Sequence, residues 1–351
     1  MAETIPATNV SVPQPIPQRK SRRRTLSSSA STRPTFASQY LIDSALLGEG
    51  AYGSVFKCTH RITELDYAVK IIKKLGQSAR KVNREIEVYH QCREAENILH
   101  LVELFEDENN FYLVFELIRG GSLEGRIAEV SDGGRMEEEQ VKCLVHAMAS
   151  ALDFLHKKGI AHRDVKPANI LLPHPESIEG AKLCDFDLAS RSKTDYRGDL
   201  CMSSPVGSAE FMAPEVVAAF TACDDERVRY DKSCDIWSLG VMAYSLLSGK
   251  PPFEGSCGKN CGWDEGASCD DCMELLFHAI QKGKLTFPEN RWQMISPDAK
   301  HLISTCLAKD PSRRPSPTQI LANPWFKDAV LKKANSTTTT DGLPNDVVII
   351  A

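Results

Sequence analysis

The chain has 351 residues, 42% apolar and 25% charged, with a net charge of −5. This is the balance of a folded protein of two to three domains or lobes, and it excludes a wholly disordered chain. It offers no overall field for nucleic acid or anionic membrane, and apolar runs such as Val216 to Phe220 fall far short of the roughly 20 residues of a spanning helix. The N-terminus shows no basic segment followed by an apolar one, so no secretory signal is expected. Twelve cysteines in such a chain are expected as thiols or metal ligands and not as disulfides.

Residues 1–39 are rich in Pro, Ser and Thr and read as a disordered basic arm. The first 40 residues carry six basic side chains against one acid, so this end is +5 and the remainder −10. From Tyr40 to Leu117 the pattern is mostly strand-like, in LIDSALLGEGAYGSVFKCT, LDYAVKII and FYLVFEL. Between the last two, Val82, Ile86 and Tyr89 recur at helical spacing. From Glu138 onward helices dominate. VKCLVHAMASALDFLHKKG carries one apolar stripe closed by Gly159, and IWSLGVMAYSLLSG is apolar nearly all round, as a helix buried in a large core is. The expected class is α+β and bilobal, with a small β-rich N-lobe at 40–117, a larger α-helical C-lobe at 118–328 and a flexible tail at 329–351.

Several motifs carry chemistry. Gly48, Gly50 and Gly53, followed by Val55, fit G-x-G-x-x-G-x-V, a loop whose backbone can approach phosphate. Lys70 follows on a strand in YAVK, and Glu85 on the next helix is its candidate partner. His162 to Asn169 read H-R-D-V-K-P-A-N. There Asp164 suits acceptance of a hydroxyl proton and Lys166 suits neutralisation of a moving phosphoryl group. Asn169 and Asp185 suit Mg²⁺. Asp185 lies in Cys184-Asp185-Phe186-Asp187, then Ala213-Pro214-Glu215 and Asp235-Ile236-Trp237-Ser238-Leu239-Gly240 follow. Arg314 is the expected partner of Glu215.

In this order the motifs resemble a eukaryotic protein kinase over residues 40–328, and Lys166 resembles the serine/threonine branch. The resemblance implies ATP, held by Gly48, Gly50, Gly53, Val55, Ala68, Lys70, Phe115, Glu116, Leu117 and Leu171, with Phe115 as gatekeeper and Glu116 and Leu117 opening the hinge. It also places Ser208 beside Asp164 and Lys166. Cys184 sits at the rear of the pocket, a thiol for covalent ligands or an inert buried cysteine.

Two departures narrow the family. Asp187 stands where D-F-G has glycine, which is expected to strain the hinge and bias it toward an inactive arrangement. After PPFEGS comes an insert at 257–272, with Cys257, Cys261, Cys269 and Cys272 spaced for a structural Cys₄ zinc site or, without metal, for a cysteine-rich loop. With GIAHRD, CDFDLAS, GSAEFMAPEV and CDIWSLGV, these resemble the MAP-kinase-interacting serine/threonine kinases. That resemblance implies phosphorylation of the cap-binding translation initiation factor 4E, recruitment by the initiation scaffold protein and activation by upstream MAP kinases. Of Thr194, Ser203 and Ser204, only Ser204 precedes proline, so Ser204, with Ser203 beside it, is the expected activating site. No C-terminal MAP-kinase docking motif is evident. Ser122 and Ala168 replace the acids of arginine-directed kinases, so strong arginine selection is not expected.

The cluster Arg19 to Arg24 fits a docking element, a nuclear-import signal or a solvated tail. The expected location is cytoplasmic with nuclear shuttling, without membrane or direct nucleic-acid binding. The alternative is a catalytically weak scaffold that uses the insert and basic arm for partner binding. A calcium/calmodulin-group relative with a coincidental insert is a further reading, but no basic amphipathic helix follows the domain.

Overall fold

The computed structural model of the chain describes residues 34–50, 53–130, 133–191, 193–194, 200–202, 206–221, 230–263, 267 and 269–327. The expectations placed on the basic arm at 1–33, on Ser203 and Ser204, and on the tail from 328 lie outside these residues.

The N-lobe is an antiparallel sheet of β1 (Tyr40–Gly50), β2 (Gly53–His60), β3 (Asp66–Lys73), β4 (Leu101–Glu106) and β5 (Asn110–Glu116), in the order β1-β2-β3-β5-β4. Its two faces follow the two-residue period of a strand. On β5, Phe111, Leu113 and Phe115 enter the large core with Ile72, whereas Val114 joins Val69, Cys58, Tyr40 and Phe36 on the opposite face. Helix α2 (Ala79–Gln91) packs Val82, Ile86 and Tyr89 into the large core, as their spacing predicts.

Two features depart from the sequence reading. The folded domain begins at Thr35 and not at Tyr40. Thr35 and Ser38 form a reciprocal capping box around α1 (Phe36–Gln39). Phe36 is buried, stacked on Tyr112 at 4.6 Å and Tyr40 at 5.4 Å. A single turn is too short to show periodicity, and one aromatic holds it. The second is β4, an edge strand on which only Leu101 is fully buried; Val102, Glu103 and Leu104 are exposed in succession, so no alternation shows.

The C-lobe is helical. It contains α3 (Leu123–Glu129), α4 (Glu138–Lys157), α5 (Pro214–Thr221), α6 (Cys234–Ser248), α7 (Asp270–Lys282), α8 (Glu289–Trp292), α9 (Pro297–Cys306) and α10 (Pro317–Leu321). The stripe Val141, Leu144, Val145, Met148, Ala151, Leu152 and Leu155 of α4 is buried, and Gly159 beyond it takes φ 71°. Helix α6 is buried on all sides except at Ser245. Short paired strands carry the cleft-facing loops: β6 (Ile160–Ala161) with β9 (Ser190–Arg191), and β7 (Ile170–Leu171) with β8 (Lys182–Leu183). A further pair, β10 (Lys193–Thr194) and β11 (Leu200–Cys201), lies in the segment after them.

Phe36→Ala is expected to cost about 3 kcal/mol, the usual loss for a buried aromatic. Urea unfolding that leaves the midpoint unchanged would place the domain start back at Tyr40.

Candidate active site

The glycine loop is the β1–β2 hairpin, with Gly48 opposite Val55 and Gly50 opposite Gly53. A side chain at Gly53 would collide with the Ile71 carbonyl oxygen, whereas one at Gly48 would meet no protein atom. Gly53 is thus fixed by sheet packing, while Gly48 is open where a side chain would stand. Val55 pairs with Lys70 and Ala68 with Phe115. Phe115 is buried at the end of β5, and Leu171 sits half-buried on β7. Glu116 spends its carboxylate on the His100 N–H (2.8 Å) and on Lys182 (2.9 Å), which ties the start of the hinge to β8. Leu117 follows it.

Lys70 donates to Glu85 Oε1 at 2.8 Å and to Asp185 Oδ1 at 3.1 Å. Burial by itself would lower the Lys70 pKa, but the two carboxylates outweigh it and raise it, so the ammonium stays charged. Burial opposes ionisation of Asp185 too, yet Lys70 keeps it below the ordinary carboxylate range. Its side chain is 40% exposed. A charged, accessible carboxylate with the amide oxygen of Asn169 is a hard oxygen set that fits Mg²⁺.

The catalytic loop is held from below by Asp235, which is fully buried at the start of α6. It accepts from His156 Nε2 (2.8 Å), the His162 N–H (2.9 Å) and the Arg163 N–H (2.7 Å). Arg163 takes φ 70°, a conformation that needs such support. Asp164 then faces three partners. Lys166 lies 3.0 Å from Oδ2, Asn169 Nδ2 donates to the same oxygen at 3.0 Å, and the Ser208 hydroxyl donates to Oδ1 at 3.0 Å. Lys166 also donates to Ser208 Oγ at 2.8 Å, as the kinase resemblance implies. Below the same segment, Arg314 grips Glu215 through two bonds of 2.6 and 2.7 Å, the pair expected from sequence.

Asp185 points toward Lys70 and Phe186 inward. Phe186 is fully buried, 4.8 Å from the Tyr89 ring and 5.1 Å from His162, and Tyr89 continues to Phe115 at 4.9 Å. The strain expected at Asp187 is not there: the left-handed residue of the segment is Asp185, at φ 64°. Asp187 instead places its carboxylate 3.5 Å from Lys81 on α2. Burial and the neighbouring Asp185 push the Asp187 pKa upward, and Lys81 offsets part of the rise. Burial pushes the Cys184 thiol up to about 12, which disfavours the reactive thiolate at this half-buried position.

Cys257, Cys261, Cys269 and Cys272 bring their sulfurs within 4.8 Å of one another, with Cys261 3.6 Å from both Cys257 and Cys272. A tetrahedron with bonds of about 2.3 Å spaces its sulfurs about 3.8 Å apart, so the set fits zinc. Cys269 is the N-cap residue of α7 and Cys272 lies in its first turn, and the Cys269 side chain makes no capping hydrogen bond.

Sequence reasoning gave no site role to Tyr89, Lys81 or Asp235. Tyr89 reads as one more apolar position on α2, yet its hydroxyl accepts the Asp185 N–H at 3.1 Å. Lys81 reads as a surface lysine. Asp235 stood in a motif whose mechanical role is visible only in three dimensions.

The Asp235 contacts set a pH dependence. Burial alone would raise its pKa, but His156 and the backbone N–H groups bring it below the usual carboxylate range. A depressed folded pKa contributes stability above the unfolded value of about 3.9 and loses it as pH falls through the folded value. Asp235→Asn is therefore expected to cost about 2–3 kcal/mol at pH 7, with the gap to wild type closing below about pH 4. Urea titrations at both pH values check this, and a gap independent of pH would contradict it.

The protein kinase domain family model matches residues 41–326. The chain is 44% identical over 350 residues to MAP kinase-interacting serine/threonine-protein kinase 1 of Xenopus tropicalis, covering 96% of this chain and 80% of that protein. It is 44% identical over 325 residues to kinase 2 of Xenopus laevis, covering 90% and 68%. To MAP kinase-interacting serine/threonine-protein kinase mnk-1 of Caenorhabditis elegans it is 42% identical over 310 residues, covering 85% and 43%. With the kinase motifs assembled around one cleft, the chain belongs to the MAP kinase-interacting branch of the protein kinases and is a serine/threonine protein kinase.

Proposed function

We propose that this kinase phosphorylates the cap-binding translation initiation factor 4E, is recruited by the initiation scaffold protein, and is switched on by a MAP kinase acting at Ser204. The observation that supports transfer to a hydroxyl is the Asp164 cluster, with Lys166 and Ser208 in contact with one carboxylate. In this reading Asp164 accepts the proton of the substrate hydroxyl. The freed oxygen bonds the γ-phosphorus of ATP as the bond to the β–γ bridging oxygen breaks, and ADP leaves with that electron pair. Lys166 neutralises the transferring group, and Lys70 holds the phosphates of the leaving nucleotide. Mg²⁺, held by Asp185 and Asn169, would supply charge neutralisation on the phosphate oxygens. The relatives' names tie them to MAP kinases, and Ser204-Pro205 is the matching proline-directed site of the segment from Asp185 to Glu215.

Phosphorylation of purified factor 4E with and without MAP-kinase pretreatment tests this. Asp164→Ala is expected to lose about 10³-fold or more in kcat. Ser204→Ala is expected to keep basal activity and lose its activation. Wild-type protein that phosphorylates a generic serine peptide but leaves factor 4E unmodified would overturn the substrate and leave the kinase intact.

We also propose that the Cys₄ cluster holds a structural zinc ion and that the protein is cytoplasmic, reaching the nucleus through Arg19 to Arg24. Metal analysis is expected to find stoichiometric zinc, and Cys261→Ser to lose it and lower the thermal midpoint. Zinc-free protein with an unchanged midpoint would remove the site. Loss of nuclear entry on replacing Arg22, Arg23 and Arg24 checks the import reading.

A further inference from the structure

We infer that Lys81 is a positioning residue for phosphoryl transfer, and that its ion pair with Asp187 latches helix α2 onto the metal-binding segment. Lys81 and Glu85 are four residues apart, on one face of α2. Glu85 holds Lys70, which reaches Asp185. Lys81 reaches Asp187 Oδ2 at 3.5 Å. One helix face thus contacts both acids of the D-F-D segment, one directly and one through Lys70.

The placement of Lys81 supports the latch. It lies in the first turn of α2, where the helix end carries partial positive charge and which holds no acid of its own. A cation there is unfavourable unless an anion faces it. Asp187 supplies that anion, with a side chain only 9% exposed against 30% for Lys81. A glycine at 187 would have no group to offer α2. In this chain the departure from D-F-G therefore works through charge, in the arrangement where Asp185 already faces Lys70. In this arrangement the latch opposes the bias toward an inactive hinge that the sequence reading expects of Asp187.

The test is a double-mutant cycle assayed on a generic serine peptide, which keeps it independent of the factor 4E reading. Lys81→Met is expected to lower kcat/KM for ATP about 3- to 5-fold, the range of a partly exposed ion pair. Lys81→Arg should recover most of the loss, and Lys81→Met should cost clearly less in an Asp187→Asn background. Lys81→Glu, which sets like charges together, should lose more, and Asp187→Asn should relieve that loss. Thermal midpoints are recorded for every variant, so a general loss of folding appears in both backgrounds. Equal losses with and without the Asp187 carboxylate, or no loss from Lys81→Met in the wild-type chain, would overturn the latch.

Discussion

A lysine ammonium shut between a sheet and a helix must have its charge met, and in this fold three chain segments meet at that requirement. Lys70 comes from β3, Glu85 from α2 and Asp185 from the loop after β8. Leaving Lys70 or Glu85 unpaired strands a buried charge, which costs far more than the pair gains over water. The position of α2 against the sheet and the inward turn of Asp185 are therefore coupled. The rings of Phe115, Tyr89, Phe186 and His162 complete the same junction in apolar form. Charge sets the distances and ring packing excludes water from them.

The C-lobe half of the site is organised differently. Nothing in the catalytic loop is held by regular secondary structure of useful length, since its flanking strands are two residues long. Asp235 takes over, fixing two consecutive backbone N–H groups from within a helix buried on nearly every side. Arg314 does the same for the segment at Glu215, and its guanidinium also lies 5.1 Å from the Trp237 ring. Each of these anchors is a charged side chain with its hydrogen bonds satisfied, the condition under which buried polarity rigidifies a structure.

Much of this was legible in the sequence. The helical stripe of α4, the all-round apolar α6, the Lys70–Glu85 and Glu215–Arg314 pairs and the cysteine cluster follow from spacing and motif alone. What escaped shares one cause, dependence on contacts distant in sequence. Phe36 looks like part of a polar arm until Tyr112 is placed beside it. Leu101 to Glu106 lacks alternation because Val102, Glu103 and Leu104 are exposed in succession on an edge strand. At Asp187 the sequence reading weighed backbone freedom, and the deciding partner lies 106 residues earlier, on α2. Local chemistry predicts which groups are capable of bonding; only the fold decides which of them meet.

Cys269 and Cys272 lie at the start of α7, whose first turn has no side-chain cap. Unpaired N–H groups at such an end favour anions nearby. The insert and the helix are thus joined: two of the four clustered cysteines flank the first turn of α7, so a metal ion on the cluster would tie the insert to that helix. Because α7 packs on α5 through Phe277 and Phe220, 5.6 Å apart, a loop that looks peripheral in sequence bears on the helix that begins at Pro214 and Glu215.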